Sequence, residues 1–288
     1  MRAAVLHARE RLERVGIPAD EAALDARLLA QHVLGWEAPR LLASLGEPAL
    51  EGFITPFDAL IARRATREPL AYITGTKEFW GLDFIVSRAV LIPRPETELL
   101  VETAAALGSG NGTRIADVCT GSGCVAVALA RAFPRARLVA TDSSLEALTI
   151  ARLNADRHGV ADRIEFLHTD LLRDTTSRFD LIVSNPPYVP AGERDTLQPE
   201  IREFEPPLAL FGGADGLSVI GRLIEQARGR LEPGGLLMFE LGVDQGPSVR
   251  QLISTQGGLT MMDLKRDLGG IPRVAVVRRT DTDRADPS

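Results

Sequence analysis

Thr113-Arg114-Ile115-Ala116-Asp117-Val118-Cys119-Thr120-Gly121-Ser122-Gly123 reads as a strand that runs into a glycine turn. Glycine there allows a tight turn, close approach of a ligand to the backbone, and a helix start behind it. Outward from this stretch the pattern alternates. Strands are predicted over 113–118, 136–141, 163–168, 179–184, 234–240, 257–263 and 272–278, and helices over 123–132, 144–158, 217–230 and 245–255. Such alternation implies an α/β fold built on a doubly wound sheet. The last two strands have little between them, so an antiparallel edge is expected. Ser143-x-x-Glu146 reads as a capping box for the helix after Asp142.

Upstream, the character differs. Residues 1–75 read as a small helical domain. Val5, Leu6, Leu12 and Val15 form a helical stripe that stops at Gly16. Asp20 is placed to cap the next helix, and Thr55-Pro56 reads as an N-cap followed by proline at the first helical position. Residues 76–92 read as a β-hairpin linker turning at Gly81-Leu82, where glycine in the first central position suits a type II′ turn. Residues 93–280 then form the α/β domain, with Ser109 to Gly112 breaking its first helix and 281–288 a loose polar tail.

Composition narrows the function classes. A formal net charge of -6 lacks the basic excess of a protein that grips nucleic acid through phosphates, so stable nucleic-acid binding is not expected. Cys119 and Cys124 make no disulfide framework, and His7, His32, His158 and His168 are scattered without metal-ligand spacing, so no metal site is expected. Apolar runs are too short for a membrane span, and Met1 to Glu10 is charged where a signal peptide would be apolar. A cytoplasmic location, no membrane partner and a monomer are therefore expected.

The glycine turn is the candidate cofactor site, with Asp117, Cys119, Thr120, Gly121, Ser122 and Gly123 lining it. Asp142, ending the second strand of the α/β domain, has the reach to accept from two ribose hydroxyls, since a carboxylate only accepts and a diol donates. A nicotinamide cofactor fits these features too. Asp117, four residues before Gly121, argues for S-adenosylmethionine: an acid there repels a pyrophosphate and suits a cationic aminoacid end. Asp170 is placed to accept from an adenine amino group, and Leu171 to pack on the adenine face.

Asn185-Pro186-Pro187-Tyr188 follows the strand 179–184, at the sheet edge where open α/β folds bind ligands. Two prolines fix φ and remove two backbone donors. What remains is acceptor-rich: the Asn185 side-chain oxygen and the Pro186 carbonyl, one for each hydrogen of a substrate NH₂. Tyr188 offers a flat face to a planar group. These residues specify a planar nitrogen held beside a methyl donor, and by themselves do not choose between an amide and a nucleobase. An N6-adenine or guanine-N2 methyltransferase poses the same chemical problem, after exposing its base.

Further stretches carry a resemblance. Glu68 to Gly75 (EPLAYITG), Glu78 to Leu82 (EFWGL), Leu91 to Glu98 (LIPRPETE), DVCTGSG, NPPYVP and Glu205 to Leu217 (EPPLALFGGADGL) resemble the release-factor glutamine methyltransferases, the PrmC/HemK family. The resemblance implies a Rossmann-like S-adenosylmethionine-dependent methyltransferase fold. It implies N5-methylation of the glutamine in the Gly-Gly-Gln motif of class I peptide chain release factors. It also implies that the helical domain and hairpin help dock that protein, that residues 119–123, Asp142, Leu171 and Asn185 contact the cofactor, and that Asn185 to Tyr188 hold the glutamine. Two positions depart from the pattern: Cys119 stands where glycine is usual, and Leu171 where some members carry an aromatic residue.

Overall fold

The computed structural model describes residues 1–108 and 112–280. Most of the expected break at Ser109 to Gly112, and the tail 281–288, lie outside the described residues. Helices in chain order are α1 (Arg2–Arg14), α2 (Ala19–Leu34), α3 (Ala38–Ser44), α4 (Ile54–Ala65), α5 (Leu70–Thr74), α6 (Glu98–Leu107), α7 (Cys124–Ala132), α8 (Leu145–Arg157), α9 (Pro199–Phe204), α10 (Pro207–Leu210), α11 (Ser218–Arg230) and α12 (Gly246–Gln256). Strands are β1 (Thr76–Phe79), β2 (Leu82–Ile85), β3 (Arg114–Val118), β4 (Arg137–Asp142), β5 (Ile164–His168), β6 (Phe179–Ser184), β7 (Leu231–Glu240), β8 (Leu259–Arg266) and β9 (Pro272–Arg279). The chain divides into two compact units, one of Met1–Thr76 with Gln198–Phe204, the other of Lys77–Leu197 with Glu205–Ser288.

The first unit is helical around Leu12, Ala26, Leu29, Leu41, Phe53, Phe57 and Ile61. Its caps differ from expectation. At the N-cap of α2 stands Pro18, not Asp20, and Phe53 precedes α4, with no side-chain cap at either. Asp20 and Thr55 lie inside first turns, where an acid still complements the helix dipole. Arg64 is buried, and its guanidinium donates to Asp25 (2.7 Å), Glu21 (2.7 Å) and Glu200 (2.8 Å). A desolvated cation survives only when paired this fully. Glu200 belongs to α9, so this arginine helps to hold α9 within the helical unit.

The second unit carries a seven-stranded sheet in the order β5-β4-β3-β6-β7-β9-β8. The strands β5, β4, β3, β6 and β7 run parallel, and β9 is antiparallel to both β7 and β8. Successive residues bury opposite faces: Ile115, Leu181, Val183 and Met238 join α6, α7 and α8, while Ala116, Ile182, Leu237 and Phe239 join α11 and α12. The chain fills the sheet from β3 outward to β5, then returns to place β6 beside β3. That reversal is the topological switch point, where a crevice opens at the carboxyl ends of the strands.

Two local readings shift by one residue. The turn between β1 and β2 is Trp80-Gly81, not Gly81-Leu82, and both residues have positive φ (55° and 70°), as a type I′ turn requires. This register buries Phe79 and Phe84 together, edge to face at 6.1 Å. The cap of α8 is Ser144, whose Oγ accepts from Ala147 N at 3.1 Å. Asp142 Oδ1 accepts from Ser144 N and holds that serine over the helix end, so Ser143 is left outside.

Candidate functional site

A cavity of about 370 Å³ lies at the switch point, within the range of small-molecule sites. Its lining includes Asp117, Cys119, Thr120, Gly121, Ser122, Asp142, Asp170, Leu171, Asn185 and Pro187. Gly123, Pro186 and Tyr188, also expected at the site, are not among its lining residues. Gly123 has φ +78°, and a Cβ on it would meet Ala151 Cβ at 3.0 Å, so its glycine lets α8 pack close to the loop.

Asp117 is buried at the end of β3, and one of its oxygens accepts from Thr120 Oγ1 (2.6 Å) and Ala126 N (3.0 Å). It thus ties the loop to the first turn of α7. Burial pushes its carboxyl up to about 7, opposed by those two hydrogen bonds and aided by the nearby charge of Asp142. Asp142 accepts from Gly121 N and Ser144 N, both at 2.9 Å, one on each oxygen. Each oxygen keeps a lone pair for a further donor, as a ribose diol would require. Burial raises the Asp142 carboxyl too, and the backbone donors pull it down. Asp170 offers one oxygen to Arg173 (2.9 Å) and Arg222 (2.5 Å).

Cys119 and Leu171 both sit in the left-handed region, at φ 60° and 57°. Such backbone costs a non-glycine residue about 1 kcal/mol or more and clusters at ligand sites. Burial, aided by the nearby charge of Asp142, pushes the Cys119 thiol well above its usual range.

Beside β6, Asn185 Nδ2 donates to Thr97 Oγ1 at 3.0 Å. Thr97 Oγ1 donates to Glu240 Oε2 at 2.7 Å, and Tyr188 Oη donates to Glu240 Oε1 at 2.9 Å. Tyr188 packs partly buried against the sheet, and Gln245 Nε2 donates to its carbonyl at 3.0 Å. The segment 205–217 is laced to the same loop. Val189 N donates to Leu210 O (2.9 Å) and Gly212 N to Val189 O (3.0 Å).

Two family models match, the PrmC N-terminal domain over residues 3–75 and the Methyltransferase small domain over residues 95–201. A release factor glutamine methyltransferase of Geobacter sulfurreducens is 41% identical over 256 residues, which cover 88% of this chain and 89% of that protein. The chain belongs to the release factor glutamine methyltransferase family. A member from Bradyrhizobium diazoefficiens is 43% identical, covering 90% of this chain and 89% of its own. A methyltransferase structure from Pyrococcus furiosus shares the fold, with a TM-score of 0.53, 20% identity, and coverage of 76% of this chain and 98% of that one.

Several site residues of this glutamine methyltransferase family member escaped the sequence reading. Thr97 and Glu240 had only positional signals: Glu240 ends an apolar strand at the ligand-binding edge, as Asp142 does. Asn154, buried in α8, accepts from Ile85 N (2.7 Å) and donates to Ser122 O (2.8 Å), fixing β2 to the glycine loop. Gly212 and Gly216, within Glu205 to Leu217, carry no mark of their role in the sequence. A Cβ on Gly212 would lie 2.5 Å from Pro187 O, and one on Gly216 would lie 2.1 Å from Tyr188 O.

Proposed function

We propose that this chain transfers a methyl group from S-adenosylmethionine to the side-chain amide nitrogen (N5) of the glutamine in the Gly-Gly-Gln motif of class I peptide chain release factors. The observation that carries this reading is the Asn185 amide at the switch-point cavity, in a chain over 40% identical to release factor glutamine methyltransferases along nearly its whole length.

The residues present suit the cofactor. Asp142 is placed for the ribose diol, Asp117 for the cationic aminoacid end, and Asp170 with Leu171 for the adenine; Cys119 to Gly123 would supply the turn around it. When bound, S-adenosylmethionine supplies an electrophilic methyl on a sulfonium, a leaving group that needs no metal.

The protein's task is then to hold a poor nucleophile. An amide nitrogen has its lone pair delocalised into the carbonyl. Asn185 Oδ1 and the Pro186 carbonyl accept hydrogen bonds from its two N–H groups and stabilise the positive charge that grows on nitrogen as the nitrogen–carbon bond forms and the sulfur–carbon bond breaks; loss of one N–H proton to solvent then leaves the neutral methylamide. Pro186 and Pro187 keep those acceptors rigid, and Tyr188 backs them. Orientation of this kind supplies roughly 7–11 kcal/mol in favourable cases.

The helical domain 1–75 and the hairpin 76–92 dock the release factor in this reading, and 93–280 performs the chemistry. No described helix is long and apolar enough to cross a membrane. A cytoplasmic monomer without stable nucleic-acid binding completes the proposal. Methyl incorporation from labelled cofactor, compared across a release factor, DNA and RNA, tests it. Label in the release factor alone is expected; label in nucleic acid alone would overturn it.

A further inference from the structure

The Asn185 amide has two ends of nearly equal shape and opposite chemistry. Its oxygen accepts and its nitrogen donates. A substrate NH₂ needs the oxygen. Something must therefore decide which end faces the cavity, because an amide turned over would present a donor to a donor.

The buried chain behind Asn185 supplies that decision. Glu240 and Thr97 are 1% and 2% exposed. Burial raises the Glu240 carboxyl, and the hydroxyls of Thr97 and Tyr188, one on each oxygen, pull it back toward the carboxylate; as that carboxylate it can only accept. It takes the hydroxyl protons of Tyr188 (2.9 Å) and Thr97 (2.7 Å). A threonine hydroxyl has one proton, so with that proton given to Glu240 its oxygen can only accept. The group 3.0 Å away on Asn185 must then be the NH₂. With Nδ2 held by Thr97, Oδ1 is the amide atom left for the cavity that Asn185 lines.

We infer that Glu240, acting through Thr97, is a positioning residue that sets which end of the Asn185 amide faces the substrate. The inference rests on the proposed role of Asn185 as acceptor and adds the cause of its orientation. A neutral side chain would fill the same space without the cost of burying a charge. The property peculiar to a carboxylate is its one-way hydrogen bonding, which travels two links to the reacting nitrogen.

Reversing the polarity of the chain tests this. N185D places a carboxylate against Thr97, whose only proton is already given to Glu240. Turnover is expected to fall by about 100-fold, as when a partner of a buried charge network is mismatched. N185D/E240Q keeps the total charge and reverses the two links between residues 240, 97 and 185. Residue 240 now donates through its amide to Thr97, Thr97 donates to residue 185, and Tyr188 still donates to residue 240. The other oxygen of residue 185 again faces the substrate. This double variant is expected to regain at least about tenfold in kcat over N185D, with KM for the release factor changed less than kcat. A double variant that melts like the wild type yet is no faster than N185D would overturn the inference.

A second pair of variants covers the case in which the double variant does not fold. In T97S the hydroxyl remains; in T97V it is gone. The Asn185 side-chain NH₂, followed by nuclear magnetic resonance, is expected to be protected from solvent exchange in the wild type and T97S and to lose protection in T97V. Equal protection in all three would overturn the inference. This readout needs no substrate. A wild-type protein that methylates no release factor would therefore overturn the functional reading while leaving the orientation of Asn185 separately decided.

Discussion

Gly216→Ala is a small change with a calculable consequence. The added Cβ would lie 2.1 Å from the Tyr188 carbonyl oxygen and 2.7 Å from Gln245 Nε2. A comfortable carbon–oxygen contact is about 3.3 Å, so the Tyr188 carbonyl must retreat by about 1 Å. Gly216 also holds φ +76°, which costs an alanine roughly 1–2 kcal/mol. Overpacking adds roughly 1–3 kcal/mol. Stability should therefore fall by about 2–5 kcal/mol. The retreat falls on the residue that follows two prolines. With φ fixed, Pro186 and Pro187 transmit a displacement toward the acceptors rather than absorb it. A misplacement of about 1 Å at a reacting centre costs on the order of 100-fold in rate. Gly221→Ala is the control. Gly221 lies within α11 with no atom within 4 Å of the added Cβ, and alanine should raise stability by up to about 1 kcal/mol there. The assay is kcat for methyl transfer to a release factor, with thermal unfolding of both variants. Gly216→Ala that melts lower yet keeps kcat within about threefold of wild type would refute the coupling of residues 212–216 to the acceptor loop.

Asp142→Ala should chiefly weaken the cofactor. Loss of a charged hydrogen bond to the ribose, worth about 1.5–3 kcal/mol, raises Kd by roughly 10- to 100-fold in a calorimetric titration; an unchanged Kd would refute the ribose role. Asp117 predicts a pH dependence. Its folded pKa of about 7 lies above its unfolded value near 3.8, so the free protein holds this contribution to stability below about pH 4 and loses it as pH rises through about 7. A cation bound beside it favours the ionised form, so cofactor binding below about pH 7 should release protons. Titrations in buffers of different ionisation heat measure that release, and its persistence in Asp117→Asn would show another group to be the source.

Much of the sheet was legible because its parallel strands are buried on both faces and read as apolar runs. Strands 113–118, 136–141 and 179–184 recur within a residue as β3, β4 and β6. The caps of α2 and α4 were not legible: Asp20 and Thr55 suit an N-cap, but Pro18 and Phe53 take the position and neither helix has a side-chain cap. The hairpin turn slipped by one residue because Gly81 fits either central position, and the burial of Phe79 and Phe84 decides between them. At the site, the local signals of the glycine loop, Asp142 and Asn185 were visible, since a turn and a strand end leave marks in sequence. The link between Thr97 and Glu240 was not, because it joins residues 143 positions apart. Arg64 shows the same limit: an arginine in a short amphipathic helix reads as surface until Asp25 and Glu200 close over it.

Mass spectrometry of the release-factor peptide that carries the Gly-Gly-Gln motif tests the central claim most directly. After incubation with this protein and S-adenosylmethionine, the peptide should gain the mass of one methylene, with fragment ions placing it on the glutamine side-chain nitrogen. Asn185→Ala should abolish the gain while binding cofactor nearly as tightly as the wild type. A methyl group on any other atom, or an equal gain with Asn185→Ala, would contradict the account.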